Sequence, residues 1–175
     1  MDQNTHSRLS LVLGGNRSGK SRRGEEIALS SGLPVVYVAT CPRDLDEEMS
    51  ERIERHQRER APGIRTIENQ VDLAAIAAAN PGHCLLLDCL TLWLYIQTSK
   101  YSNHDEILAE LGQAIEASLD RVQWVIVSSE IGLGIVPADA ESRRFRDLSG
   151  SAHQLLGRRA DRVELMVAGI PLRVK

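Results

Sequence analysis

The first residues whose types and spacing could do chemistry are Gly14-Gly15-Asn16-Arg17-Ser18-Gly19-Lys20-Ser21. They fit the phosphate-binding loop G-x-x-x-x-G-K-[ST] at every fixed position. Glycines let successive backbone N–H groups turn towards a phosphate chain, and a helix that follows points its positive end at the same anions. Lys20 would contact the outer phosphates, and the Ser21 hydroxyl would complete a Mg2+ shell. The expected ligand is a nucleoside triphosphate such as ATP or GTP, or something of that shape. The plainer alternative is a glycine turn that happens to carry a lysine. The flanking residues argue against it, with a strand pattern before the loop and a helix pattern after it.

Two further positions could share that chemistry. Asp88 ends the apolar run Cys84-Leu85-Leu86-Leu87, as in phosphate-loop enzymes whose central strand carries a carboxylate towards Mg2+. Asp88 could also cap a helix over Leu90–Ile96, alone or together with the metal role. His56 lies in the most charged segment, Asp44 to Arg60. Leu45, Met49, Ile53 and His56 share helical spacing, so one thin stripe can face the protein. On pattern alone this is a solvated surface helix; the functional alternative turns His56 to the nucleotide with Arg58 and Arg60 close by.

The elements that must position these groups alternate along the chain. Leu9–Leu13 reads as a buried strand and Arg22–Ser30 as a helix. Val35–Ala39 is a second buried strand, ending at Thr40-Cys41-Pro42. In open α/β sheets ligands gather at the carboxyl ends of strands, which brings Thr40 and Cys41 towards the loop. Ile64–Glu68 is a short strand, Val71–Ala79 a short helix, Asp105–Asp120 an amphipathic helix and Trp124–Ser128 a strand. Glu130 then falls on the active side of the sheet, before a loop with Gly132 and Gly134. Asp139–Ala160 is a long helix whose Arg143, Arg144 and Arg146 either form a solvated basic face or reach substrate phosphate. Arg162–Val167 and Ile170–Val174 close the chain as an antiparallel edge pair, where Pro171 is tolerated. The fold class is therefore α/β: a mostly parallel sheet flanked by helices, in one phosphate-loop domain over residues 1–175.

Composition narrows the classes. The chain has 175 residues, 42% hydrophobic and 26% charged, which is ordinary for a globular protein. A formal net charge of −3 leaves no excess of Lys and Arg for general nucleic-acid binding. No apolar run is long enough for a membrane span, and the polar start MDQNTHSR lacks a signal core, so a cytoplasmic location is expected. Three cysteines, Cys41, Cys84 and Cys89, lack paired metal spacing; neither a disulfide framework nor a zinc site is expected, and Cys84 should pack in its strand.

Taken together the motifs resemble a known family. They are the phosphate loop, Tyr37-x-Ala39-Thr40, Asp46-x-Glu48-Met49, Arg52-Ile53-x-x-His56-x-x-x-Arg60 and Arg65-Thr66-x-Glu68. Leu87-Asp88-Cys89-Leu90-Thr91, Glu130-x-Gly132-x-Gly134-Ile135-Val136-Pro137 and Phe145-Arg146-Asp147-x-x-Gly150 follow. The set resembles the bifunctional adenosylcobinamide kinase/adenosylcobinamide-phosphate guanylyltransferase family of bacterial cobalamin biosynthesis, from about Leu9 to the C-terminus. The resemblance implies a RecA-like phosphate-loop fold, a homotrimer and two reactions. A nucleoside triphosphate, ATP or GTP, phosphorylates adenosylcobinamide. GMP from GTP is then carried on a histidine to adenosylcobinamide phosphate, giving adenosyl-GDP-cobinamide and pyrophosphate. Carried over by position, His56 is the guanylylated nucleophile, and Gln57, Arg58, Glu59, Arg60 and Glu68 hold the guanine nucleotide. Asp88 belongs to the metal and phosphate end. Glu130 and Asp88 are both candidates for the base of the kinase step. The pattern departs at Ala61-Pro62, where the proline falls one place late, and at Ile64, where an aromatic residue is expected.

The chemistry suits these residues. Neutral imidazole attacks phosphorus, and its ordinary pKa near 6.5 leaves it mostly deprotonated at neutral pH. A covalent intermediate splits one nucleotidyl transfer into two displacements. A carboxylate such as Glu68 can accept two hydrogen bonds from the guanine N1–H and N2–H2 edge, which adenine lacks. The alternatives are a phosphate-loop small-molecule kinase with no covalent step and a GTP-regulated binding module. The second is weakened because no N-K-x-D guanine-reading motif occurs.

Overall fold

The computed structural model describes residues 7–40 and 63–175. The segment with His56, expected to be helical, lies outside the described residues, as do Cys41, Gln57, Arg58, Glu59 and Arg60. The apolar runs form the strands β1 (Leu9–Gly14), β2 (Val35–Ala39), β3 (Arg65–Glu68), β4 (Cys84–Asp88) and β5 (Gln123–Ser129). The chain closes with β6 (Arg162–Val167) and β7 (Ile170–Arg173). They make one seven-stranded sheet in the order β3-β2-β4-β5-β1-β6-β7. Every pairing is parallel except the last, β6 with β7, which is antiparallel. Ala168 and Gly169 make that turn with φ of 50° and 81°.

The central strands are buried on both faces, which is why they read as unbroken apolar runs rather than as alternation. Leu9, Leu11, Leu85, Leu87, Trp124 and Ile126 face one side. There they meet α2 (Leu73–Ala78), α3 (Leu90–Lys100), α4 (His104–Glu116) and α5 (Ala140–Arg159). Val12, Tyr37, Leu86, Val125 and Val127 face the other side. They meet Ile27 and Ala28 of α1 (Lys20–Leu29). Full burial of each large aliphatic side chain is worth about 1.5–3 kcal/mol, so the two layers together fix which face each strand residue takes. Gly24 lets α1 lie close on the sheet, since a Cβ there would come within 2.5 Å of Val127 Cγ2.

Among the described residues three helices start on side-chain caps. Asp72, Asn103 and Asp139 accept from the backbone N–H of Ala75, Asp105 and Ser142 at 2.9, 2.9 and 2.7 Å, each worth about 1 kcal/mol. The alternative of Asp88 as a helix cap is not met: the cap residue of α3 is Cys89, with no side-chain bond, and Asp88 is the last residue of β4. The Asp88–Cys89 peptide is cis. Helix α3 also runs to Lys100 rather than Ile96, because Gln97 continues the buried stripe of Leu90, Trp93 and Leu94. Between the helix packing faces, Trp93 Nε1 donates to Val71 O at 2.7 Å.

Candidate active site

The loop between β1 and α1 takes its shape from backbone that most side chains resist. Gly19, the cap residue of α1, has φ 89° in the left-handed region, where a glycine carries no Cβ penalty. Arg17 is also left-handed, with φ 53°. Lys20, 8% exposed, folds back so that Nζ donates to Gly15 O at 3.1 Å. Ser18 N–H bonds Gly15 O at 3.4 Å. The turn of the β6–β7 pair packs against the loop, with Gly169 N–H donating to Ser18 O at 3.2 Å. Gly14 has no room for a side chain, since a Cβ would sit 3.0 Å from Met166 Cβ and 3.1 Å from Met166 O. Gly15, Asn16 and Arg17 are exposed and Ser21 is half-buried, so the loop presents its tip and the N-terminus of α1 at the carboxyl ends of the strands.

The carboxyl ends of the strands gather the other candidates by register. Asp88 is level with Val127, and Val127 with Val12, two residues before Gly14. With strands about 4.8 Å apart, Asp88 lies roughly 10 Å from β1 across the sheet. It shares the alternation of Cys84 and Leu86 and so takes the face covered by α1. Tyr37 OH donates to Asp88 Oδ2 at 2.6 Å. Thr40 fixes the peptide that follows: its Oγ1 donates to Cys89 O at 2.8 Å and accepts from Cys89 N–H at 2.9 Å, while Thr40 N–H bonds Asp88 O at 3.3 Å. Thr40 therefore works through the carbonyl end of β4, tying the exits of two adjacent strands together. Glu68, level with Ala39 and through it with Asp88, is half-buried at the edge strand. It lies four strand spacings, about 19 Å, from the phosphate loop. The guanine candidate and the loop are thus four strands apart in the sheet.

Cys89, beside Asp88, has its thiol pushed up to about 11, by burial first and then by the Asp88 charge. It stays a neutral thiol at neutral pH. Cys84 packs in its strand as expected, fully buried, and its thiol is likewise raised to about 11 by burial.

Beyond Asp88 a buried polar chain was not legible in the sequence. Ser129 N–H donates to Thr91 Oγ1 at 2.8 Å, and Thr91 Oγ1 is 3.1 Å from Ser128 Oγ. Ser128 Oγ is 2.8 Å from His153 Nε2, and His153 Nδ1 is 3.4 Å from Glu130 Oε2. Burial pulls the His153 pKa below its ordinary value and the Glu130 carboxylate pulls it back only in part. A neutral ring with its proton on Nδ1 completes the chain, each hydroxyl donating once towards Glu130. The signal was in the helix pattern: His153 sits beside Ala152 and one turn before Leu156, on the stripe that faces the core.

Glu130 is also bonded outwards. Its N–H donates to Gly14 O at 3.0 Å, and its Oε1 accepts from Gly132 N–H at 2.6 Å. The arginines of α5 divide. Arg146 donates to Gly132 O at 2.6 Å, Arg143 to Pro137 O and Ala138 O at 3.0 and 2.6 Å, and Arg144 is exposed. Two of the three thus hold the loop after β5. The structure brings together Gly14 to Ser21, Thr40, Asp88 and Glu130 at the carboxyl ends of the interior strands, with Glu68 on the edge strand β3. Among the described residues no cluster of three or more His, Cys, Asp or Glu could hold a metal by itself, and no helix is long and apolar enough to cross a membrane.

The chain is similar to known proteins. Residues 10–174 match the family described as cobinamide kinase / cobinamide phosphate guanyltransferase. The chain is 41% identical over 172 residues to the bifunctional adenosylcobalamin biosynthesis protein CobP of Pseudomonas aeruginosa, covering 94% of this chain and 96% of that protein. It is 34% identical over 180 residues to the bifunctional adenosylcobalamin biosynthesis protein CobU of Escherichia coli, covering 94% and 98%. Among solved structures the RadB recombinase superposes with a TM-score of 0.50 at 16% identity, over 90% of this chain and 73% of that one. The last likeness carries the fold alone, a RecA-like phosphate-loop sheet.

Proposed function

The chain belongs to the cobinamide kinase / cobinamide phosphate guanyltransferase family, and from that premise we propose that it catalyses two successive transfers on a corrinoid. In the first, the γ-phosphate of ATP or GTP passes to the aminopropanol hydroxyl of adenosylcobinamide. In the second, an imidazole nitrogen of His56 attacks the α-phosphorus of GTP. An N–P bond forms, and the bond to pyrophosphate breaks. The acceptor phosphate oxygen then displaces the histidine, giving adenosyl-GDP-cobinamide. The observation that carries the reading is the phosphate loop with its buried Lys20 at the same carboxyl end of the sheet as Asp88.

Each residue has a role that follows from its chemistry. The backbone N–H groups of Gly15 to Lys20 and the α1 N-terminus offer fixed positive charge to the triphosphate. Lys20 would leave Gly15 O for the outer phosphates. Ser21 and Asp88 are the residues that would hold Mg2+. The fit is sound: Mg2+ prefers oxygen and is usually held by one or two carboxylates plus substrate phosphates, and Tyr37 engages Asp88 Oδ2 alone. Bound there, Mg2+ would neutralise charge building on the phosphates. Glu68 is the proposed guanine acceptor; Glu68→Gln should weaken GTP use far more than ATP use, and equal losses would count against it. A homotrimer is part of the same proposal, and sedimentation of the purified protein measures it.

The test is transfer of label from γ-labelled nucleotide to adenosylcobinamide. Wild type should form labelled adenosylcobinamide phosphate, and Lys20→Ala should cut the rate by about 100-fold or more. Absence of transfer by the wild-type protein would refute the kinase reading.

A further inference from the structure

The loop after β5 is an exposed apolar segment, as is the β6–β7 tip, where Val167, Ile170 and Leu172 are open to solvent. Ile131 to Ala138 contains no polar or charged side chain. Its tip is open to solvent, with Leu133 80%, Ile135 97% and Val136 61% exposed. Such a tip would be expected to fold back on the protein, because every exposed aliphatic side chain forgoes burial. Here it is held out. Glu130 accepts from the Gly132 N–H, Arg146 donates to the Gly132 carbonyl, and Arg143 donates to the carbonyls of Pro137 and Ala138. His153 supports Glu130 from the buried side. The loop also springs from the residue whose N–H bonds Gly14 O, the first residue of the phosphate loop.

We infer that the anchored loop Ile131–Ala138 is the platform that binds the corrinoid acceptor beside the transferring phosphate. The inference rests on the proposed transfer to adenosylcobinamide. The loop does not suit the nucleotide: it offers no cation to phosphate and no hydrogen-bonding side chain to a base. It does suit a large macrocycle whose faces carry methyl groups and whose rim carries amides, because aliphatic side chains and peptide groups are what it presents. Its attachment to Gly14 keeps an acceptor held there next to the phosphate loop. The arginine staples remove the cost of ordering the loop when the acceptor arrives.

The test is the double variant Leu133→Ser/Ile135→Ser, at two exposed positions where folding should be unaffected. The KM for adenosylcobinamide should rise about tenfold or more, with the KM for nucleotide and the sedimenting mass unchanged. An acceptor KM within about twofold of wild type would overturn the inference, and so would a change of oligomeric mass, which would make the loop a contact between copies of this chain. The kinase reading fails on the wild-type protein alone, whereas this inference fails when wild type transfers phosphate and the variant either keeps its acceptor affinity or changes its oligomeric mass.

Discussion

The Tyr37 hydroxyl donates a 2.6 Å hydrogen bond to Asp88 Oδ2, reaching along the face shared by β2 and β4. One buried phenol thereby sets the direction of the Asp88 carboxylate, two strands from β1 on that face. Tyr37→Phe removes the donor and leaves the ring's packing. The half-saturating Mg2+ concentration of the kinase reaction should rise several-fold, with a stability loss of about 1–2 kcal/mol. A Mg2+ titration of initial rates checks this, and an unchanged midpoint would show that Asp88 needs no such support.

Glu164 joins β6 to α1, and so to the phosphate loop. The carboxylate, 2% exposed, bonds Arg23 at 2.8 and 3.1 Å and Arg162 at 2.8 Å. Burial alone would raise its pKa, but the hydrogen bonds and charges of Arg23 and Arg162 outweigh it and hold the pKa below the ordinary glutamate value. A depressed carboxylate pKa adds stability above the unfolded-state value, and that stability is lost as pH falls through the folded one. Glu164→Gln should cost about 2–4 kcal/mol near pH 7. Urea unfolding at a series of pH values should show the gap between wild type and variant shrinking in acid; a constant gap would contradict the charged triad.

Cys84 and Cys89 should resist alkylation. With thiols raised to about 11, only about one in a thousand is thiolate at pH 8, and the thiolate is the reactive form. Peptide mapping after brief iodoacetamide treatment of the native protein should leave both unmodified, while unfolding should expose both. Labelling of Cys89 at the rate of a free thiol would show that burial and the Asp88 charge do not govern it.

Much of the fold was legible because its signals are local. Val35–Ala39, Cys84–Asp88 and Arg162–Val167 appear at the boundaries that their apolar runs and turn residues implied. The phosphate loop is written in eight adjacent residues, and the short Ala168–Gly169 connection required an antiparallel last pair. What stayed hidden joins residues far apart in the chain. Tyr37 and Asp88 are 51 residues apart, Ser128 and His153 25, Arg23 and Glu164 141. No periodicity links such partners, since a buried polar side chain is chosen by its neighbour in space and not by its strand or helix. Glu164 within the strand Arg162-Val163-Glu164-Leu165-Met166-Val167 was a visible anomaly whose partner was not. Asp88 as a helix cap was a reasonable local reading that lost because β4 runs one residue further than a cap allows and Tyr37 takes the carboxylate.

The central claim is that GMP travels on His56, and the fate of the α-phosphate tests it most directly. The protein is incubated with GTP labelled at that phosphate and Mg2+, without acceptor, and then denatured. The account predicts protein-bound label that is stable to alkali, released by acid, absent in His56→Ala and chased into adenosyl-GDP-cobinamide when adenosylcobinamide phosphate is added. Formation of adenosyl-GDP-cobinamide at the wild-type rate by His56→Ala, or a protein adduct that survives in that variant, would contradict it.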